Sequence, residues 1–290
     1  MSSALVPWNG FISAMPTPFT ESGEMNLPMA RDLVEILIAL RVDGIIVNGS
    51  TGEWASQTSD ERREMVAAVV SVAHRRVPVI AGCISPRLGE SVELAQHALD
   101  SGADGVLISP PPGLPLTQEE VVDYYLELDA RGVGPTVVFS APGEFVTEID
   151  PPTIARLCDI PSLVALKDGG SYVHLNSTID LVEGRLRCFG DSLREEAIGP
   201  IRSGSGADGY MGSGAPLGEQ MSRFFEAARR GDIDSAQTIA RQFAAYRSEL
   251  AMDGAGNSRF GGFQGTVKAV AGMIGQPAGV PRRPRLPVVG

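Results

Sequence analysis

Short apolar runs alternate with longer amphipathic stretches along this chain. In the first long stretch, Leu33, Leu37 and Leu40 recur at the spacing that puts them on one face of a helix. The apolar runs are short and bounded by glycine or proline, as buried strands are. Eight strands are predicted, over Phe11–Ala14, Gly44–Asn48, Val77–Gly82, Gly105–Ser109, Thr136–Ser140, Leu163–Lys167, Leu186–Gly190 and Gly209–Gly212.

Residues that start helices stand at the expected places in this pattern. Asn26 precedes the first amphipathic stretch and is suited to cap it. Thr58 with Glu61, and Thr117 with Glu120, have the spacing of capping boxes. These signals predict three helix N-termini between predicted strands.

A short phrase recurs where a helix gives way to a strand. It reads Val-Asp-Gly at 42–44 and Ala-Asp-Gly at 103–105 and 207–209. We expect each glycine to end its helix with a left-handed turn, after which the strand begins. Repetition of this kind is typical of a barrel made of βα units.

The element count favours an α/β fold, a (β/α)8 TIM barrel with a C-terminal helical extension. An open doubly wound sheet is the alternative, but no GxGxxG turn follows the first strand. The barrel is predicted over residues 1–215 and the extension over 216–290. The extension should hold helices around Leu217–Arg230, from Asp232 to about Met252, and from Thr266 after the glycine-rich segment 254–265.

Composition narrows the function classes. The chain has 290 residues, 43% of them hydrophobic, and a net charge of -11. This acidic balance disfavours nucleic acid as a partner. No apolar stretch approaches the roughly 20 residues that span a bilayer, so we expect no membrane association.

Cysteine and histidine usage gives a further indication. The three cysteines and three histidines are scattered, without the spacing of a disulfide framework or a metal site. We therefore expect no metal-dependent mechanism. The N-terminal residues lack a signal-peptide pattern, and a cytoplasmic location is predicted.

Lys167 is the first candidate for chemistry. It closes the predicted strand Leu163–Lys167 and is followed by Asp168, Gly169 and Gly170. In a parallel α/β barrel, the ends of the strands form the rim that carries the active site. Burial there can lower a lysine pKa from about 10.4 toward roughly 7–8, which makes the amine a nucleophile for carbonyl carbons. The alternative is a solvated lysine that simply ends a strand.

A second candidate is the segment Gly49-Ser50-Thr51-Gly52-Glu53 after the second predicted strand. Its backbone N–H groups and two hydroxyls could form an anion nest sized for a carboxylate. The alternative is a turn whose Ser and Thr only cap a helix. The predicted position on the same rim as Lys167 favours the nest.

These motifs give the chain a resemblance to the dihydrodipicolinate synthase / N-acetylneuraminate lyase superfamily of Schiff-base aldolases. The resemblance covers nearly the whole sequence. It rests on Pro16-Thr17-Pro18-Phe19, Gly49-Ser50-Thr51-Gly52-Glu53, Ala81-Gly82, Gly102-Ala103-Asp104-Gly105, Pro110-Pro111, Leu166-Lys167-Asp168, Gly190-Asp191 and Val267-Lys268-Ala269.

The resemblance implies a Schiff-base lyase that acts on a 2-oxo acid such as pyruvate. Lys167 would form the Schiff base as the catalytic residue, and Ser50 and Thr51 would hold the carboxylate of the substrate. The lysine would supply the electron sink itself, so the resemblance implies no metal or organic cofactor. It also implies a homotetramer built as a dimer of dimers. Because they end the seventh and eighth predicted strands, the Gly190-Asp191 pair and Met211 are expected to line the substrate pocket.

The chain differs from the family at the residues that transfer protons and at one residue that binds the second substrate. The family carries Tyr-Asn-x-Pro on its fifth strand, and here the matching residues are Phe139-Ser140-Ala141-Pro142. Phe139 remains a candidate substrate contact, but a phenyl ring can neither give nor accept a proton. Pro111 and Pro112 stand where the synthases carry a second tyrosine, and Glu144 stands in place of a substrate-binding arginine.

These departures argue against true dihydrodipicolinate synthase activity and leave three alternatives. The first is an aldolase of another 2-oxo acid, with Ser50, water or the substrate as proton carrier. The second is a dehydratase of a 2-keto-3-deoxy sugar acid. The third is a non-catalytic paralogue that binds a 2-oxo acid.

Overall fold

The computed structural model describes residues 6–250 and 257–288, and its core is a closed barrel of eight parallel strands in sequence order. The predicted fold class is therefore confirmed. The strands are β1 (Gly10–Ala14), β2 (Gly44–Val47), β3 (Val79–Gly82), β4 (Gly105–Ile108), β5 (Thr136–Ser140), β6 (Leu163–Asp168), β7 (Arg187–Phe189) and β8 (Gly209–Ser213).

Helices alternate with these strands and continue beyond the last one. Those in the described residues are α1 (Leu27–Ala39), α2 (Ser59–Ala73), α3 (Leu88–Asp100), α4 (Gln118–Ala130), α5 (Pro151–Leu157), α6 (Tyr172–Val182), α7 (Ile198–Ser203), α8 (Gln220–Arg230), α9 (Ile233–Leu250) and α10 (Phe263–Met273). The three predicted N-termini are confirmed. Asn26 caps α1, and capping boxes begin α2 and α4.

The recurring Asp-Gly phrase has a different role from the predicted one. The left-handed residues lie earlier in each connection, for example Gly102 and Gly204, so the glycines that begin β2, β4 and β8 do not make the turn. Each aspartate instead accepts a hydrogen bond from a backbone N–H at the start of the preceding strand, as Asp104 does from Val79 at 2.8 Å. Asp43 and Asp208 repeat this contact with Phe11 and Cys188 at 2.7 and 2.8 Å.

Close packing explains the glycines of that phrase. A Cβ on Gly209 would lie 1.9 Å from the backbone oxygen of Gly10, and one on Gly105 would lie 2.5 Å from the Trp8 ring. Trp8 is buried and belongs to the cluster of side chains that fills the barrel. The aspartate hydrogen bonds and the close glycine contacts therefore stabilise the N-terminal end of the barrel, which is the end opposite Lys167.

The last of the C-terminal helices begins earlier than the sequence predicts. Helix α8 packs on α7 and β1, and α9 packs on α8. The predicted end of the second helix, Met252, lies outside the described residues. The last helix begins at Phe263 rather than Thr266 because Gly265 does not break it. A Cβ on Gly265 would lie 2.5 Å from the Leu286 oxygen, so this glycine permits close packing of the C-terminal segment. The division at residue 215 stays a prediction.

Candidate active site

Lys167 lies inside the mouth of the barrel. It is the second-last residue of β6, since the strand extends to Asp168. In the sheet register it is paired with Phe139 on β5 and Phe189 on β7. Both aromatic residues belong to the cluster that fills the barrel interior. The lysine stem is thus fixed between two inward-facing rings, and its amine is directed to the C-terminal rim.

The surroundings of this amine favour its neutral form. Burial lowers the pKa of Lys167 to about 8, against an opposing contribution from the negative charge of Glu144. The nitrogen lies 4.1 Å from the centroid of the Phe139 ring. Such a face stabilises the charged amine that remains at neutral pH. The chain contains only one other lysine, Lys268, which is buried elsewhere.

A cavity of about 260 Å³ opens beside Lys167. Of the predicted site residues, Lys167, Asp191 and Met211 line it directly, whereas Ser50, Thr51, Phe139 and Gly190 are not among the residues that line it. The C-terminal helices close its outer side, and no local sequence signal linked them to the site. The lining residues from this region are Met221, Phe243, Tyr246, Arg247, Phe263 and Val267.

The Gly49–Glu53 loop lies at the same rim. Asn48 has a left-handed conformation, with φ of 56°, and turns the chain out of β2. Gly82 on β3 allows close approach, since a Cβ there would lie 2.1 Å from the Asn48 oxygen. The hydroxyl of Thr51 is 2.8 Å from that of Ser213, a cavity residue. Thr51 therefore connects the predicted nest with the cavity.

The Ser50 hydroxyl has a partner that the sequence did not indicate. It donates a 2.5 Å hydrogen bond to Oε2 of Glu144. The backbone oxygen of Ser50 accepts a hydrogen bond from Nε2 of Gln264 on α10, at 3.1 Å. The loop is thus held from both sides, by the loop after β5 and by the C-terminal helix.

Two other carboxylates near Lys167 are engaged by neighbours. Asp191 forms ion pairs with Arg247 at 2.8 Å and Arg194 at 3.2 Å. Asp168 accepts a hydrogen bond from the backbone of Gly170 and pairs with His174 at 2.7 Å. That contact raises the pKa of His174 above its usual range.

Two residues considered in the sequence lie away from the cavity. Gly190 is buried, and a Cβ on it would lie 2.9 Å from Leu175, so its part is close packing behind the rim. The Ser140 hydroxyl faces the backbone N–H of Ile149 at 3.4 Å, on the side of the strand that alternation predicts. A contact between Gly190 and substrate stays a prediction.

The described part of the chain contains neither a metal-binding cluster nor a helix that could cross a membrane. Within residues 6–250 and 257–288, no group of three or more His, Cys, Asp or Glu side chains is arranged to hold a metal ion. Within the same ranges, every helix is too short or too polar to span a membrane.

Known proteins resemble this chain along most of its length. A sequence model of the dihydrodipicolinate synthetase family matches residues 7–289. The chain is 32% identical over 282 residues to 4-hydroxy-tetrahydrodipicolinate synthase 1 of Streptomyces coelicolor, covering 96% of this chain and 88% of that protein.

Two solved structures are similar to this fold. Dihydrodipicolinate synthase DapA-2 of Bacillus anthracis is 27% identical with a TM-score of 0.86, covering 98% of this chain and 94% of that chain. The chloride-inhibited dihydrodipicolinate synthase of Acinetobacter baumannii, solved in complex with pyruvate, is 27% identical with a TM-score of 0.78. That match covers 85% of this chain and 84% of the other.

Proposed function

Because the chain belongs to the dihydrodipicolinate synthetase family, we propose that it is a Schiff-base lyase that acts on a 2-oxo acid such as pyruvate. The observation that carries the proposal is the Lys167 amine, partly buried beside a cavity and with a pKa lowered to about 8. An amine with that pKa is partly uncharged at neutral pH and can attack a carbonyl carbon.

The proposed reaction begins at C2 of the 2-oxo acid. The Lys167 nitrogen adds to the carbonyl and water leaves, which gives an iminium. This group withdraws electrons from C3, so a bond at C3 can form or break, or a leaving group can depart. The Phe139 ring, 4.1 Å from the nitrogen, stabilises the positive charge of the iminium.

The hydroxyl groups at the rim are proposed to bind the substrate carboxylate. Thr51 and Ser213, which share a hydrogen bond at the cavity, are the hydroxyls available for this contact, because the Ser50 hydroxyl donates to Glu144. Hydroxyls can turn to donate to a bound anion. We propose that Met211 and Asp191 contact the remainder of the substrate, with Arg247 holding the Asp191 carboxylate in place.

We further propose that the substrate pair is not that of a true dihydrodipicolinate synthase. Phe139 supplies no hydroxyl next to Lys167, and Glu144 brings a negative charge to the Ser50 loop. A carboxylate at that place repels a second anionic substrate at close range. An aldolase of another 2-oxo acid fits better, and a dehydratase of a 2-keto-3-deoxy sugar acid is the second candidate. The assembly is proposed to be a homotetramer.

A substrate panel separates these activities. The purified enzyme is incubated with 2-keto-3-deoxy sugar acids, and the products are followed by mass spectrometry and by a coupled assay for pyruvate. We expect release of pyruvate with an aldehyde, which is the carbon–carbon lyase reaction. Loss of water without release of pyruvate would instead assign the hydro-lyase reaction. Formation of an imine without turnover of any acid would contradict an enzyme and support the binding paralogue.

The rate of imine formation should follow the titration of Lys167. Only the uncharged amine attacks a carbonyl, so the rate should rise about tenfold per pH unit below the pKa of about 8 and level off above it. The measurement is borohydride quenching of the enzyme–pyruvate mixture at short times, across about pH 6 to 11.5. A midpoint near the ordinary lysine value of about 10.4 would show that burial does not act on this amine.

A further inference from the structure

The hydrogen bond between Ser50 and Glu144 places a carboxylate at the edge of the proposed site. The hydroxyl donates to Oε2 of Glu144 at 2.5 Å, and Ser50 itself is buried. Glu144 lies in the loop after β5, the strand that carries Phe139. Its charge also acts on the Lys167 amine. Glu144 is an exposed residue, as Glu148 is, but its carboxylate is near enough to Lys167 for its charge to act on the reacting nitrogen.

Other groups near Lys167 are less suited to move a proton. Asp168 is held by His174 and a backbone N–H, and Asp191 is held by two arginines. Tyr210 lines the cavity, but burial raises its pKa to about 12, so its phenol is a poor base at neutral pH. Glu144 instead faces a hydroxyl, which can pass a proton between the carboxylate and a substrate.

We propose that Ser50 and Glu144 form a proton relay, in which the Ser50 hydroxyl exchanges a proton with the bound 2-oxo acid and the Glu144 carboxylate holds that proton. This inference rests on the proposed function, since it requires the imine at Lys167. Ser50 is the member that touches the substrate, and Glu144 acts through it. The relay takes the place of the hydroxyl that Phe139 lacks.

The proton and electron pairs balance in each step. To make the enamine, the C3–H bond of the iminium breaks and its proton passes to the Ser50 oxygen, while the Ser50 proton passes to Glu144. The C3–H electron pair forms the C2–C3 double bond, and the C2–N double-bond pair moves to the Lys167 nitrogen. Return of the proton from Glu144 through Ser50 to C3 restores the iminium and both side chains.

The test separates imine formation from proton transfer. Pyruvate is incubated with the enzyme in D2O, and exchange of its methyl hydrogens is followed by NMR after subtraction of the enzyme-free rate. In parallel samples, borohydride traps the imine and intact mass gives its occupancy. Glu144→Gln keeps the size of the side chain but removes the base. Glu148→Gln, an exposed position in the same loop, is the matched control because it removes the same charge.

We expect Glu144→Gln to trap pyruvate at the wild-type level and to slow exchange on the order of 10²-fold. Imine formation should persist because removal of the Glu144 charge lowers the pKa of Lys167 further, which favours the free amine. Glu148→Gln should match the wild type in both assays. In Glu144→Ala, added formate should restore part of the lost exchange, since a small carboxylate can occupy the vacated position.

Two outcomes would overturn the relay. Exchange at the wild-type rate in Glu144→Gln, at equal imine occupancy, would show that the carboxylate moves no proton. An equal loss in Glu148→Gln, or no rescue of Glu144→Ala by formate, would assign the effect to charge or structure. Failure of the wild type to trap pyruvate is a different result, because it removes the proposed function and the relay with it.

Discussion

Replacing Lys167 by methionine is expected to abolish imine formation and to lower kcat/KM by at least about 10³-fold. Methionine has a similar length and suits the apolar walls formed by Phe139 and Phe189, but it has no amine. The variant should therefore fold while losing the electron sink on which each proposed step depends. The measurement is turnover of the substrate found in the panel, together with borohydride trapping with pyruvate.

To show that Lys167→Met still folds, its unfolding midpoint in urea is compared with that of the wild type. We expect Lys167→Met to be at least as stable as the wild type, because burying an amine opposes folding and a thioether does not. Turnover within about tenfold of the wild type, in a variant that folds normally, would contradict covalent catalysis by Lys167.

The second large effect is expected at the buried ion pair between Glu53 and Lys268. The two charged groups are 2.5 Å apart and almost wholly buried, with side-chain exposures of 1% and 2%. Lys268 also donates to the backbone oxygens of Thr17 and Val280, each at 2.7 Å, and Glu53 accepts from the backbone N–H of Arg282 at 2.9 Å. The pair therefore joins the Ser50 loop to α10 and to the C-terminal segment.

Glu53→Gln should lower the free energy of unfolding by about 3–5 kcal/mol, since it leaves the Lys268 ammonium buried without a counter-charge. The measurement is urea unfolding followed by circular dichroism. The control is Glu127→Gln, which breaks an exposed pair with Arg131 and should cost no more than about 1 kcal/mol. Adding Lys268→Met to Glu53→Gln should recover part of the loss, because the unpaired charge is then removed.

Equal, small losses in Glu53→Gln and Glu127→Gln would contradict this account of the buried pair. The double variant of Glu53→Gln and Lys268→Met gives a second check. If its loss of unfolding free energy equals the sum of the losses in Glu53→Gln alone and Lys268→Met alone, the two charges act independently and the account is contradicted.

Local patterns were sufficient to predict the barrel, its strand positions and the position of Lys167 at the rim. Strand and helix periodicity depends on neighbouring residues, and parallel strands bring their C-terminal ends to one side. The Asp-Gly phrase was located correctly but misinterpreted. Its glycines are required because a ring or a backbone segment packs against them, as Trp8 packs against Gly105. The spacing of residues along the chain does not reveal such a contact.

Contacts between distant segments account for the rest of the site. Ser50 and Glu144 are separated by 94 residues, and the shape of the loop after β5 decides whether they meet. The cavity residues Tyr246 and Arg247 lie on α9, a helix that looks like an ordinary amphipathic helix in the sequence. In the sequence, Glu53 stood out only as the last residue of the Gly49–Glu53 segment. The ion pair with Lys268 was not foreseen, since it depends on how α10 packs.

The most direct test of the central claim is to locate the covalent adduct after incubation with pyruvate and reduction with borohydride. The chain is favourable for this measurement because Lys167 and Lys268 are its only lysines, and Lys268 is buried in an ion pair. The enzyme is digested and its peptides are sequenced by mass spectrometry. We expect one reduced adduct, on Lys167. An adduct on Lys268 or on the amino terminus alone, or no adduct at saturating pyruvate, would contradict it.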